Sequence, residues 1–313
     1  RINLAMNETF DPVTGWTQAG NQRTTDFSAL NGLVFSPEQR WGLFVAGNYG
    51  TGTKKGDDAY RFRSYGITMG ADYRLTDNLT AGLTAGYYQA STDIDDSGST
   101  TDINHTSIGA YGTYKQKGLY IDGYFGYGWN HFDNERKIVF PGVTRTAKSS
   151  PGGGQLEGFG SLGYEFLIGK LKAIPSLSLQ YVKYSIESSV EAGADSLNLI
   201  VEKQTAESLQ SRAGGRVSYL LKTGYLSLTP SLWLFYAHEF GNENASATAR
   251  LAVGGDFCTV TAQATPRRDF FQAGTGISAH APAGISFYLN YNVQFNARDY
   301  EDHNIGAGIR WEF

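Results

Sequence analysis

A single cysteine, Cys258, leaves no partner for an internal disulfide, and so little Cys suits a chain that crosses membranes unfolded. No run of about eighteen apolar residues occurs. Together with a mean hydropathy of -0.33, this excludes transmembrane helices. It does not exclude a transmembrane barrel, in which only alternate residues meet lipid and the loops are polar. A basic excess is also missing: 26 Lys and Arg against 30 Asp and Glu give a net charge of -4, so no nucleic-acid partner is expected. His105, His131, His238, His280 and His303 are scattered, without metal-ligand spacing, and neither a metal nor a cofactor is expected. There is no G-x-S-x-G elbow, and Gly152-Gly153-Gly154 lacks the Lys-Ser/Thr of a phosphate loop. The sequence opens at Arg1 with neither Met nor a signal peptide, as the carboxyl-terminal part of a longer precursor or a trimmed piece would.

What the chain has in quantity is Gly 39, Tyr 20 and Phe 18. That mixture suits many β-strands joined by tight turns and flanked by aromatic bands. Its end, His303 to Phe313, sets Ile305, Ala307, Ile309, Trp311 and Phe313 on one side of an extended strand. Asn304, Gly306, Gly308, Arg310 and Glu312 fall on the other. Termini of soluble proteins usually fray into water. A strand that stays apolar up to the carboxyl end fits a barrel in lipid, whose last strand must pair with its first to leave no open edge.

From Trp41 onward the period stays at two. Alternating runs cover 41–46, 65–74, 79–87, a stretch around Ile108 to Gly112, 119–130, 156–168, 175–181, 210–221, 225–240, 269–280, 285–296 and the terminal strand. Short turns, such as Thr76-Asp77-Asn78 and Lys115-Gln116-Lys117-Gly118, alternate with long polar connections at 54–58, 93–101, 133–154, 187–207, 241–268 and 297–302. The expectation is an all-β protein, a twelve-stranded antiparallel transmembrane β-barrel over 40–313. A leader over 1–39 is expected in or near the lumen, partly helical after Asp26. Bacterial outer-membrane barrels have short periplasmic turns and longer external loops, which sets the carboxyl terminus and five short turns in the periplasm and six long loops outside. A soluble β-sandwich also alternates, but it should pair two apolar faces into one core. Here one face is apolar and aromatic, and the other is mostly small or polar.

A Lys or Arg facing lipid at the midplane costs roughly 2 to 4 kcal/mol. Arg212 and Arg216 must therefore point inward, with Ala213 and Val217 outward, and Glu165 inward between Tyr164 and Phe166. The same parity makes Asp72, Arg74, Asp122, Glu157, Glu165, Arg212, Arg216, Glu239, Arg310 and Glu312 the candidate lumen-lining residues. Two roles stay open for them: pairing with one another in a wet lumen, or gripping a segment that occupies it. Trp41, Tyr73, Tyr87, Trp129, Tyr181, Tyr236, Phe295 and Trp311 are expected in interfacial girdles. The one constellation with catalytic character is Asp95-Asp96 with His131 or His303 near the outer rim, where solvated loop residues are the plainer reading.

Leu228-Thr229-Pro230-Ser231-Leu232-Trp233, followed by Ala237-His238-Glu239-Phe240, resembles the L-x-P-x-L…H-E-F run of autotransporter β-domains, the translocators of type V secretion. Ser208 to Gly214, Gly274-Thr275-Gly276-Ile277-Ser278 and the ending Gly308-Ile309-Arg310-Trp311-Glu312-Phe313 resemble the same family. The likeness is strongest over 208–313 and reaches back to Trp41 by strand count. It implies a non-enzymatic barrel in the outer membrane of a Gram-negative bacterium, in contact with outer-membrane lipid, that exports or anchors an amino-terminal passenger through a linker. It also implies a monomer whose final row, Ile305, Ala307, Ile309, Trp311 and Phe313, is the signal read by the barrel-assembly machinery. Residues 1–39 depart from the family's long pore helix, and the Asn-Asn pair that some members cleave is missing, so self-cleavage is not expected. A barrel enzyme of protease or lipase type with a rim site, or a simple small-solute pore, are the alternatives.

Overall fold

The computed structural model describes residues 40–55, 59–94, 97–240, 246–261, 268–297 and 300–313. The leader over 1–39 and the pair Asp95-Asp96 lie outside the described residues. Twelve antiparallel strands make the wall: β1 (Trp41–Lys54), β2 (Tyr60–Arg74), β3 (Leu79–Ile94), β4 (Thr100–Gln116), β5 (Leu119–Phe140), β6 (Gly152–Tyr164), β7 (Leu171–Ile186), β8 (Gln204–Tyr219), β9 (Ser227–Glu239), β10 (Asp269–His280), β11 (Ile285–Ala297) and β12 (Tyr300–Glu312). Each pairs with the next, and β12 returns to β1 in a register from Gly42 opposite Glu312 to Lys54 opposite Tyr300. The closure continues past the strands. Trp41 N–H donates to the Phe313 carbonyl at 3.0 Å, and Phe313 N–H donates to the Trp41 carbonyl at 3.0 Å. No edge of the wall is left to pair with another chain, which is the condition for a sheet to exist in lipid.

Side-chain parity follows the sequence pattern. Along β5, exposed Ile121, Phe125, Tyr127 and Trp129 alternate with buried Asp122, Tyr124 and Asn130. Tyr65, Ile67 and Met69, Leu177 and Leu179, Leu232 and Leu234, and Phe287 and Leu289 likewise lie exposed on the outer face. The row Ile305, Ala307, Ile309, Trp311 and Phe313 faces outward along its whole length. At the end where the chain makes tight turns, Trp41 packs on Tyr73 with ring centroids 4.9 Å apart and Trp311 on Phe313 at 4.5 Å. Toward the other end Tyr127 and Trp129 meet at 5.2 Å. One of the tight turns, Lys117-Gly118, has φ of 48° and 90°, the two-positive arrangement that matches the twist of a hairpin.

The other end differs from the expectation of six long polar loops. Strands run on past the wall there, so β1–β2, β3–β4 and β11–β12 are joined by the brief connections 55–59, 95–99 and 298–299. Segment 133–154 is not loop: β5 continues to Phe140 and turns at Pro141-Gly142 into the strand Val143–Ser149, which pairs back on it. Connections 187–203 and 240–268 contribute Ser189–Val190, Leu199–Val201, Ser246–Leu251 and Cys258–Thr261 to a separate four-stranded sheet. Its core is Leu199, Val201 and Ala249, with Leu251 against them. Each of those segments is too short to reveal a period by itself, and only pairing between loops distant in sequence makes them strands.

The inner face also departs from "small or polar". Tyr60, Phe62 and Tyr300 form one buried cluster, and Tyr88, Ile103 and Phe132 another. These inward residues sit on the loop-side halves of their strands, where side chains from neighbouring strands pack on each other. Among the described residues no helix is long and apolar enough to cross a membrane.

Candidate functional site: the lumen and its closing seam

Parity places every candidate lumen residue on the inward side. Asp72, Asp122, Glu157, Arg212, Arg216, Glu239, Arg310 and Glu312 are all buried. Closure brings three of them together. Arg310 on β12 reaches across β1 to Asp72 on β2, its Nη1 2.6 Å from Oδ2 and its Nη2 2.7 Å from Oδ1. Its Nε donates to Glu312 Oε1 at 2.8 Å. The path crosses Gly42, where an added Cβ would lie 2.2 Å from Arg310 Nη2 and 2.6 Å from Asp72 Oδ1. Only a residue without a side chain lets the guanidinium lie flat over that strand. Tyr111 on β4 extends the contact by crossing Gly82 on β3 and donating to Asp72 Oδ2 at 2.5 Å. A planar guanidinium matched to a carboxylate by two parallel bonds is directional as well as strong. The seam between the first and last strands is thus latched from inside by groups on β12, β2 and β4.

Neutral groups lie among the partners of the remaining charges. Asp122 accepts from the Thr113 hydroxyl at 2.8 Å and the Ser161 hydroxyl at 3.2 Å. Glu157 accepts from the Gln155 amide at 2.7 Å and lies 3.9 Å from His105 Nε2. His105 Nδ1 is 2.6 Å from Asn130 Oδ1. Arg212 donates to Gln180, and the Arg216 guanidinium lies over the Trp233 ring at 4.5 Å. Glu239 accepts from the Ser208 hydroxyl at 2.7 Å and the Leu209 N–H at 2.9 Å. Arg74 is half-buried at the turn end, where its N–H donates to the Arg40 carbonyl. Glu165 sits at the rim rather than in mid-lumen, between Lys115 at 3.0 Å and Lys172 at 3.1 Å. Burial raises its pKa, but the two ammonium groups outweigh burial and hold the carboxyl below its usual range.

Tyr111, Gly42, His105 and Trp233 are lumen residues that the charge-based reading passed over. Tyr111 carried a signal, since it alternates with outward Ile108 and Ala110 on its strand. Of the residues weighed for a rim constellation, Asp95-Asp96 lie outside the described residues. His131 and His303 both lie on the outward side, His131 with Asp133 at 3.6 Å and His303 with the Tyr291 hydroxyl at 2.6 Å.

Twelve strands about 4.8 Å apart and tilted about 40° give a wall about 24 Å in diameter between backbone centres. Subtracting one layer of inward side chains leaves room for about one helix, 10–12 Å across. Fold and site together define a sealed transmembrane β-barrel with a polar, internally latched lumen.

Residues 41–292 match the family described as the autotransporter β-domain. An extracellular serine protease of Serratia marcescens is 25% identical over 95% of this chain, which spans 28% of that protein. A putative surface cell antigen of Rickettsia conorii is 23% identical over 84% of this chain, covering 15% of its own length. The fold is that of the translocator domain of the autotransporter NalP from Neisseria meningitidis, with a TM-score of 0.74, 16% identity, and coverage of 98% of this chain and 100% of that one. The β-domain of the Bordetella autotransporter BrkA gives 0.63, 19% identity, and coverage of 88% and 100%. The chain belongs to the autotransporter β-domain family and is an outer-membrane translocator domain.

Proposed function

We propose that this barrel exports, and afterwards anchors, a passenger attached on the amino-terminal side of β1. The observation that carries the reading is the position of Arg40 and Trp41, hydrogen-bonded to Phe313 at the turn end of a closed barrel. With the turn end and carboxyl terminus in the periplasm and the loops outside, a passenger outside the cell requires the preceding segment to thread the lumen. The 39 residues before Arg40 reach about 58 Å even as an α-helix at 1.5 Å per residue, against about 40–45 Å for a whole bilayer. The barrel works as a monomer and does no chemistry of its own; any catalytic activity belongs to the passenger. The outward row Ile305, Ala307, Ile309, Trp311 and Phe313 is the signal read by the barrel-assembly machinery.

The test is surface labelling of intact cells. An epitope placed before Arg1 and another within 187–203 should be reached by antibody, whereas one in the turn 220–226 should be reached only after the outer membrane is permeabilised. An epitope before Arg1 that stays hidden while 187–203 is labelled would refute export through the lumen.

A further inference from the structure

Three neighbouring turns at one end of the barrel carry an excess of positive charge. They join β4 to β5 at Lys117-Gly118, β6 to β7 over 165–170 and β8 to β9 over 220–226. The turns are hydrogen-bonded in series: Glu165 N–H donates to the Gly118 carbonyl at 2.7 Å, and Leu220 N–H to the Lys170 carbonyl at 2.9 Å. Within or beside them stand Lys115, Lys117, Lys170, Lys172 and Lys222, against the single carboxylate of Glu165. The whole chain carries a net charge of -4, and the other two turns, 75–78 and 281–284, bring only Asp77. Glu165 engages Lys115 and Lys172. Lys117, Lys170 and Lys222 stand exposed at the turn tips, with no ion pair among the described residues.

The outer apolar face runs into these turns without a break. From β6 the exposed outward row Leu162 and Tyr164 continues through Phe166 to Ile168, with the Tyr164 and Phe166 ring centroids 4.8 Å apart. Lys170 follows two residues on. From β8 the row Val217, Tyr219 and Leu221 is likewise exposed and ends beside Lys222. Apolar rows that meet lipid up to their last residue put the membrane surface at the level of the lysines that follow. An ammonium group there stands among headgroup phosphates, while its aliphatic stem lies along apolar neighbours. Adjacent turns are two strands, or about 10 Å, apart, so each lysine meets its own phosphate. A zwitterionic headgroup brings a cation to its own phosphate, so lysines without a carboxylate partner favour headgroups of net negative charge.

We propose that the arc of turns from β4 to β9 is a binding surface for anionic phospholipid headgroups. Phe166, Ile168 and Leu221 sit in the hydrocarbon boundary, and Lys117, Lys170 and Lys222 hold the phosphates. The surface works in whichever leaflet the turn end occupies, so it stands apart from the export reading.

Native mass spectrometry of the full 313-residue chain in detergent, titrated with phosphatidylglycerol or phosphatidylcholine, reads the occupancy of bound lipid. Phosphatidylglycerol should bind at least ~10-fold more tightly, and Lys117→Asn with Lys170→Gln and Lys222→Gln should abolish that preference. Asn is the choice at 117 because φ there is 48°, a region that Asn tolerates. Removing the same charge at the loop end, by Lys137→Gln, Lys148→Gln and Lys203→Gln, should leave the preference intact, and inorganic phosphate should not displace the lipid. Equal affinity for the two lipids, or a preference that survives the turn substitutions or falls equally with those at the loop end, would overturn the proposal. So would displacement by inorganic phosphate, or a second copy of the chain held in place of lipid. Heat-modifiable gel migration reports whether each variant is assembled. Should the triple variant fail to assemble, Lys170→Gln with Lys222→Gln should still cut the preference at least ~3-fold, and an unchanged preference there would equally overturn it.

Discussion

Replacing Arg310 by Met should loosen the seam between β12 and β1. The side chains of Arg310 and Asp72 are 7% and 3% exposed, so the substitution leaves two carboxylates, Asp72 and Glu312, facing the same space over Gly42. Removing one partner from a buried ion pair costs about 3–5 kcal/mol, and access of lumen water to the orphaned carboxylates brings this to about 2–3. With a urea slope of roughly 2–3 kcal/mol per molar, the midpoint should fall by about 1 M. The assay is the fraction of folded, heat-modifiable band after equilibration in urea. Asp72→Asn on the Arg310→Met background should recover part of the loss, because the uncompensated charge is gone, with a coupling of about 1–3 kcal/mol. Unfolding of Arg310→Met within about 0.5 kcal/mol of the parent, or fully additive penalties, would refute the latch.

Glu165 gives the rim a pH dependence. Its folded-state pKa is held below the usual 4.5 by Lys115 and Lys172, so its contribution is complete above that value and lost as pH falls through the depressed one. Acid titration of barrel stability should therefore lose a component below about pH 4.5 that Glu165→Gln already lacks. Leu289→Arg puts a charge on the lipid face of β11 and should cost about 2–4 kcal/mol on unfolding from lipid bilayers. Beyond the wall, Glu191 accepts from Arg136 Nε at 2.8 Å and from the Leu199 N–H at 2.8 Å. Glu191→Ala should speed tryptic cleavage after Lys203 by ~10-fold or more and leave the urea midpoint of the barrel unchanged, because the loss is confined to the loop sheet.

The wall itself was legible because lipid on one side and a polar lumen on the other enforce a period of two. Ile285 to Phe295 could be assigned to faces residue by residue, and Arg212 and Arg216 were turned inward by the cost of the alternative. The latch was not legible. Asp72 and Arg310 are 238 positions apart, and they meet only because β12 closes on β1 in one particular register. The loop sheet escaped notice because Leu199–Val201 and Ser246–Leu251 are strands only through each other. Inward Phe62 and Tyr300 ran against the simple rule that inside means polar, and their stacking at 6.2 Å explains them after the fact.

Closure of the first strand on the last is the claim on which the sealed lumen, the latch and the threading route all depend. Val45 and Ile309 stand opposite each other across that seam on the lipid face. In a Cys258→Ser background, cysteines at these two positions should oxidise to a disulfide in the assembled barrel, since opposed antiparallel residues lie about 4.5–5.5 Å apart at Cα. Cysteines at Val45 and Ile305, four positions out of register, should stay reduced. A Val45–Ile309 pair that stays reduced in heat-modifiable barrel, or an out-of-register pair that oxidises as fast, would contradict the account.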